Sequence, residues 1–165
     1  MGSESQRTAV RVPVWRWARL VRELRRRGAG QRETGAFLLA RRQDDDARVA
    51  AFICYDDLDR ESCRTGAIAF HADGYAGLWT YCRHKQLEVV ADVHTHPGVN
   101  VSQSWIDREN PMVPVVGHTA VILPNYGRTP WWNLDAAGVY EYLGDLKWRE
   151  HPATDASRRV SLVLW

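Results

Sequence analysis

Val93-His94-Thr95-His96-Pro97-Gly98 closes an apolar, β-branched run, Leu87-Glu88-Val89-Val90-Ala91-Asp92-Val93. That run reads as a strand. Residues two apart on a strand point to one face, so His94 and His96 present their imidazoles side by side. Pro97 and Gly98 then break the strand. Further on, Ser104 and Asp107 are three apart and share a face on a helical turn. Asp107 can then swing back as a third donor, with Ser104 beside it. Two histidines and one carboxylate leave a fourth tetrahedral position for water, the mark of a catalytic rather than a structural zinc site. The same Ser-x-x-Asp spacing also suits a capping box, in which Ser104 caps a helix and Asp107 reaches back to it.

The pattern His94-x-His96-Pro97, six residues, then Ser104-x-x-Asp107 resembles the signature of the JAMM/MPN metalloproteases, the JAB-type deubiquitinase family. The family pattern also has a glutamate at the start of a Gly-containing apolar strand, and Glu33-Thr34-Gly35-Ala36-Phe37-Leu38-Leu39 is similar to it. The similarity runs from Glu33 to Asn125. It implies an α/β (mixed α+β) MPN fold, a curved mixed sheet flanked by helices and related to cytidine deaminases. It implies one catalytic Zn²⁺ on His94, His96 and Asp107, with Glu33 as general acid–base and Ser104 hydrogen-bonding the tetrahedral intermediate. The implied reaction is hydrolysis of an isopeptide or peptide bond after the C-terminal tail of a ubiquitin-like protein. E1- and E2-like conjugation proteins are the implied further partners.

Two departures stand out: Ala40 where the family often has Gly, and Gln103 where it often has Pro before the serine. Neither removes a catalytic group. The short gap from Asp107 to His118 resembles the compact prokaryotic type. Other readings stay open. A hydrolase acting on the tail of a sulfur-carrier protein would use the same site. A non-catalytic MPN scaffold would only bind partners. A nucleobase deaminase fits worse, because the His-x-Glu and Pro-Cys-x-x-Cys elements are absent. Glu88, six before His94, is the rival to Glu33 as base. Asp92 has no settled role. His118 reads as structural, and Trp105 as core or as the lining of a peptide groove.

A chain of 165 residues can bury one core, so one domain over 1–165 is expected. No apolar run approaches the ~20 residues of a membrane span, and no signal peptide is evident, which points to a cytoplasmic protein with no membrane partner. A net charge of +2 is too small to imply a nucleic-acid partner. Cys54, Cys63 and Cys82 are an odd number without metal-ligand spacing, as in a reducing cytosol. Cys82 as a thiol nucleophile is the lesser reading, since an unpaired Cys is usually a small buried hydrophobe.

Along the chain, Met1 to Arg7 is polar and expected to fray. Thr8 to Val14 alternates as a strand, although Pro13 also suits a helix start. Trp15 to Arg27 is a helix with Trp17, Leu20, Val21 and Leu24 on one stripe, stopped by Gly28-Ala29-Gly30. Its arginines read as a solvated face. Strands are expected over Ala36–Arg41, Val49–Tyr55, Arg64–His71, His118–Leu123, Val139–Leu143 and Leu146–Trp148, with a turn at 43–46. Gly74–Lys85 reads as a helix. Val160–Trp165 is a short apolar end that packs on the sheet.

Overall fold

The computed structural model describes residues 9–44, 46–153, 155 and 159–165. The expected fraying of Met1 to Arg7 lies outside these residues. Strand β1 (Val10–Pro13) runs straight into helix α1 (Val14–Gly28), so the strand and the helix start share Pro13. The helical spacing of Trp17, Leu20, Val21 and Leu24 puts all four in the core, each worth about 1.5–3 kcal/mol of burial. Ala29, between the two glycines, takes the left-handed φ of 51° that closes α1, and its N–H bonds to the Arg25 carbonyl. Arg19, Arg22, Arg25 and Arg26 are exposed, as a solvated face requires. Arg27 is instead half-buried and ties α1 to Asp56 and Asp57.

Among the described residues, seven further strands and three further named α-helices follow. They are β2 (Gly35–Arg41), β3 (Val49–Cys54), α2 (Tyr55–Leu58), α3 (Ala72–Lys85), β4 (Leu87–Thr95), α4 (Trp105–Glu109), β5 (Thr119–Leu123), β6 (Gly138–Gly144), β7 (Lys147–His151) and β8 (Val160–Val163). Six strands form one sheet in the order β3-β2-β4-β5-β6-β7, and β1 pairs with β8 in a separate two-stranded ribbon. Only the β4–β5 pairing within the large sheet is parallel; the others are antiparallel. The mixed sheet with helices on its sides is the expected α/β architecture. Among the described residues no helix is long and apolar enough to cross a membrane.

The strand period of two sorts β2 between two layers. Ala36, Leu38 and Ala40 face α1 and the β1–β8 ribbon, together with Val93, Val121 and Val139. Phe37 and Leu39 face α3 and Tyr55, with Leu78, Cys82, Leu87 and Val89. A third cluster, Ala120, Ile122 and Tyr140, lies on the sheet next to Val101 and Trp148.

The segment Arg64–His71 forms no strand, contrary to its alternating pattern. Gly66, at φ +93°, breaks it, and no strand pairs along it. It is pinned instead by isolated bonds, Ala69 N–H to the Ser62 carbonyl and His71 N–H to Asp59 Oδ2. Tyr55 likewise leaves the β3 strand and opens α2.

Candidate metal centre

The site stands at the end of β4, and a bulge in that strand determines which face it uses. Leu38 pairs with Ala91 while Leu39 pairs with Val89, so Val90 is an extra residue opposite β2. The bulge inverts the alternation: Leu87 and Val89 face α3, Val93 faces α1, and Asp92 and His94 therefore share the α3 side. Glu88 loses its candidacy for this reason. It shares strand parity with His94 on paper, but the extra residue turns it to the other face, and it lies exposed opposite Ala40.

His94 pairs with Gly35 on one side and Ile122 on the other. The neighbouring Thr95 caps the first strand turn of β2, its Oγ1 accepting the Thr34 N–H at 3.0 Å. Gly35 is needed for a close approach: a Cβ there would sit 2.2 Å from Tyr55 Cε2. The Tyr55 ring is fully buried on that glycine and donates its hydroxyl to Asp92 Oδ2 at 3.2 Å.

Asp107 arrives from α4. The helix is one turn long, and its start is a complete capping box. Ser104 Oγ accepts the Asp107 N–H at 3.2 Å, and Asp107 Oδ2 accepts the Ser104 N–H at 2.7 Å. The cap and the donor readings of Ser-x-x-Asp thus coexist, because the box is what aims the carboxylate at the histidines. His94 Nε2 lies 3.1 Å from His96 Nε2 and 3.4 Å from Asp107 Oδ1, and His96 Nε2 lies 3.3 Å from Asp107 Oδ2. Tetrahedral zinc with bonds of 2.0–2.1 Å spaces its donors by about 3.3 Å. The two imidazole nitrogens and the Asp107 carboxylate, which meets His94 with Oδ1 and His96 with Oδ2, lie close enough together to hold one metal ion between them.

The two imidazoles are held with Nε2 toward this point. His96 Nδ1 is 3.1 Å from the Asn100 carbonyl, and His94 Nδ1 is 3.9 Å from Asp92 Oδ2. A metal-binding His with its second nitrogen against a carbonyl or carboxylate is fixed in tautomer and tilt. Asp92, left without a role by the sequence, is the hub: it is 2% exposed and also accepts from His118 Nε2 at 2.7 Å. His118 is fully buried and supports Asp92 rather than joining the donor cluster.

The electrostatics match a cation site. Burial would depress the His94 imidazole, but its bonds to Asp107 and Asp92 outweigh this and hold it at about 9. Burial would likewise raise both carboxyls. His94 and His96 instead hold Asp107 far below its usual range, and His118 and His94 lower Asp92. A buried and a half-buried carboxylate kept ionised beside neutralisable imidazoles are an arrangement a divalent cation can replace protons in.

Glu33 stands just ahead of Gly35, partly buried, with its N–H bonded to the Gly66 carbonyl. Burial raises its carboxyl, and His94 and His96 pull it part of the way back, so it shares their field. Trp105 is 74% exposed and is not core. A helix of one turn beside the sheet rim has no apolar layer to enter. Cys82 is buried with its thiol pushed up by that burial, the opposite of an activated nucleophile.

A cleft of about 440 Å³ opens beside His94 and Asp107, between the Phe70–Tyr75 side and α4.

Comparison with known proteins bears on the fold and the family. The chain is similar to a solution structure of a Desulfitobacterium hafniense protein, at 15% identity and a TM-score of 0.58, over 87% of this chain and 90% of that one. It is also similar to a Salinibacter ruber protein, at 22% identity and a TM-score of 0.54, over 86% of this chain and 87% of that one. Both likenesses are of fold. The model of the prokaryotic homologs of the JAB domain matches residues 16–134, a span that includes Glu33, His94, His96, Ser104 and Asp107, and the chain belongs to that family.

Proposed function

We propose that this chain is a zinc-dependent peptidase that cleaves the amide or isopeptide bond after the C-terminal tail of a ubiquitin-like protein. The observation that carries the reaction type is the donor cluster of His94, His96 and Asp107, in which the two Nε2 atoms lie 3.1 Å apart and meet the two oxygens of one carboxylate at 3.4 and 3.3 Å. The substrate class follows the JAB resemblance and the E1- and E2-like partners that resemblance implies.

His94, His96 and Asp107 hold the ion. A zinc ion bound there supplies Lewis acidity to a substrate carbonyl and acidifies a water from 15.7 to ~7. Glu33 takes the proton from the attacking water and gives it to the leaving amine, and its raised carboxyl pKa suits both halves of that transfer. Ser104 Oγ accepts the Asp107 N–H, and its O–H, which lies against the Asp107 carboxylate, turns to donate to a developing oxyanion. Asp92 and the Asn100 carbonyl keep the imidazoles aimed.

The test has two stages. Metal content of the purified protein is measured first, wild type against His94→Ala. One zinc per chain, lost in the variant, is the expected result. Hydrolysis of a ubiquitin-like protein carrying a C-terminal amide is measured next, wild type against Glu33→Gln. Turnover lost with zinc retained supports the assignment, and turnover retained in Glu33→Gln removes Glu33 as the base. Wild-type protein that takes up no zinc after reconstitution defeats the enzymatic reading altogether and leaves a binding scaffold.

A further inference from the structure

The cleft beside the donor cluster is larger and more apolar than a tail of small residues requires. Its floor is the end of β4 and β5, where Asp92, His94 and Ala120 line it. One wall is aromatic. Phe70 and Tyr75 meet edge-on at 4.7 Å between ring centres, and Phe70 also packs edge-on against the buried Phe37 at 5.4 Å. The Tyr75 hydroxyl donates to the Met112 carbonyl at 2.7 Å, which ties α3 to the connection after α4 and closes that end. The opposite wall is Ile106 on α4 and Trp148 on β7, and the Trp148 indole N–H donates to the Arg108 carbonyl at 3.2 Å. Tyr75 and Trp148 are thus each anchored by a hydrogen bond and backed by a second ring, Trp79 at 6.5 Å and Tyr142 at 5.0 Å, and Met112 lines the cleft with them.

The cleft reaches the donor cluster through His94 and Asp107, while Glu33, His96 and Ser104 are not among its lining residues. A group seated in it is thus next to the reacting carbonyl without displacing the groups assigned to proton transfer or oxyanion binding. Its volume of about 440 Å³ lies within the range of ~300–1,000 Å³ typical of small-molecule sites. Glycine presents nothing to such a space, and filling it with water against Phe70, Ile106 and Met112 leaves apolar surface wet.

We propose that this cleft is a specificity pocket for one large apolar side chain, aromatic or leucine-sized, carried by a residue flanking the scissile amide. This rests on the peptidase reading above and narrows its substrate: a tail with only small residues around the cleaved bond is a poor substrate. The matching chemistry is a flat or branched hydrocarbon group edge-on to Phe70 and Tyr75, with Ile106 covering it.

The probes are two hydroxamates, acetohydroxamate and 3-phenylpropionohydroxamate, titrated by calorimetry into the zinc-loaded protein. They share the metal-binding head and differ by the ring. The expected result is binding of the phenyl compound ~10- to 100-fold tighter, from burial of one ring-sized apolar group. Ile106→Trp and Met112→Trp, which fill the mouth and the closed end, are each expected to shrink that ratio below about threefold. Two fillings from different elements guard against one variant misfolding. Equal affinities in the wild type, or a ring preference that survives both fillings, overturn the pocket. If neither hydroxamate binds because the protein holds no zinc, N-acetylphenylalanine methylamide is titrated and the Met112 methyl resonance followed. A saturable shift there that Ile106→Trp abolishes supports the pocket although the peptidase reading has failed; no shift overturns both. In the active enzyme, acetyl-Phe-Gly-amide against acetyl-Gly-Phe-amide tells which side of the bond the pocket serves. Cleavage of acetyl-Gly-Gly-amide as fast as both of them counts against it.

Discussion

Replacing Asp92 by Asn tests whether the buried carboxylate, and not merely its shape, sets the metal affinity. Asp92 Oδ1 faces His118 Nε2 at 2.7 Å, and Oδ2 faces the Tyr55 hydroxyl at 3.2 Å and His94 Nδ1 at 3.9 Å. An asparagine fits one way round. Its NH₂ group turns toward His118 Nε2, and the ring proton moves to Nδ1, which has no acceptor among the described residues, at a cost of about 1–3 kcal/mol. Its carbonyl oxygen keeps accepting from Tyr55 and stays beside His94. The packing survives and the charge is lost. Two full charges 4 Å apart interact by about 4 kcal/mol at an effective dielectric constant of 20. An imidazole on zinc carries only part of a positive charge, so about 1–3 kcal/mol is at stake, or ~10- to 100-fold in affinity, the range found for outer partners of zinc histidines. Asp92→Leu removes the acceptor as well. It leaves the Tyr55 hydroxyl and His118 unpaired in the core, for about 2–6 kcal/mol of lost stability. Zinc affinity is read by competition with a chromogenic chelator, and stability of the metal-free protein by denaturant unfolding. The expected pattern is weak zinc binding with about 1–3 kcal/mol of lost stability for Asp92→Asn, and a larger stability loss together with loss of zinc binding for Asp92→Leu. Wild-type zinc affinity in a folded Asp92→Asn protein refutes the orienting role.

Gly35→Ala places a methyl group 2.2 Å from the Tyr55 ring, so about 3 kcal/mol of stability and roughly 10 °C in melting temperature are expected to go, with weaker zinc binding as Tyr55 shifts away from Asp92. Ser104→Gly keeps most of the helix cap, at a cost of a few tenths of ~1 kcal/mol, but deletes the hydroxyl; a rate loss of ~100-fold or more at unchanged zinc content is expected, and full activity would leave Ser104 a cap only. The Glu23 carboxyl, bonded to Arg26 and Arg27, is held at about 2 against an ordinary 4.5. A depressed carboxyl stabilises the fold above pH 4.5 and loses that contribution as pH falls toward 2. Glu23 is partly exposed, so solvent screening reduces the effect to about 1 kcal/mol, and Glu23→Gln should cost that much at pH 7 and nothing at pH 2 in urea titrations. Peptidase activity is expected to fall in acid with an apparent pKa above the usual glutamate value, because Glu33 must be ionised to act and burial raises it; an acid limb unchanged in residual Glu33→Gln activity contradicts that.

The donor cluster was legible because it is built from short-range periodicities. His94 and His96 obey the strand period, and Ser104 and Asp107 obey a single helical turn with its cap. Both rules act over a few residues and survive whatever the rest of the chain does. The role of Asp92 was not legible, since it depends on Tyr55 and His118 arriving from β3's end and β5's start. The bulge at Val90 was hidden for the same reason. An extra residue in a β-branched run leaves no mark in composition, yet it reverses every face assignment before it and is what removes Glu88. Arg64–His71 has the alternation of a strand but no neighbour to pair with, and pairing is a tertiary property. Trp105 is exposed because one turn of helix at a sheet rim has no second layer above it, which its hydrophobicity alone cannot reveal.

The β1–β8 ribbon has a bearing on how the chain comes to be folded. Val10 pairs with Val160 and Val12 with Leu162, so nearly the whole sequence separates the two strands. Val10, Val12 and Val160 belong to the same core as the apolar stripe of α1. During synthesis β1 has no partner until β8 has emerged, and the loop that joins them carries a high closure entropy. Closing the ribbon is therefore a late folding step, and such long-range pairing slows folding by the contact-order relation. Until then the exposed valines and the Trp17 stripe are a sticky intermediate that a chaperone, or a neighbouring nascent chain, can reach before β8 does.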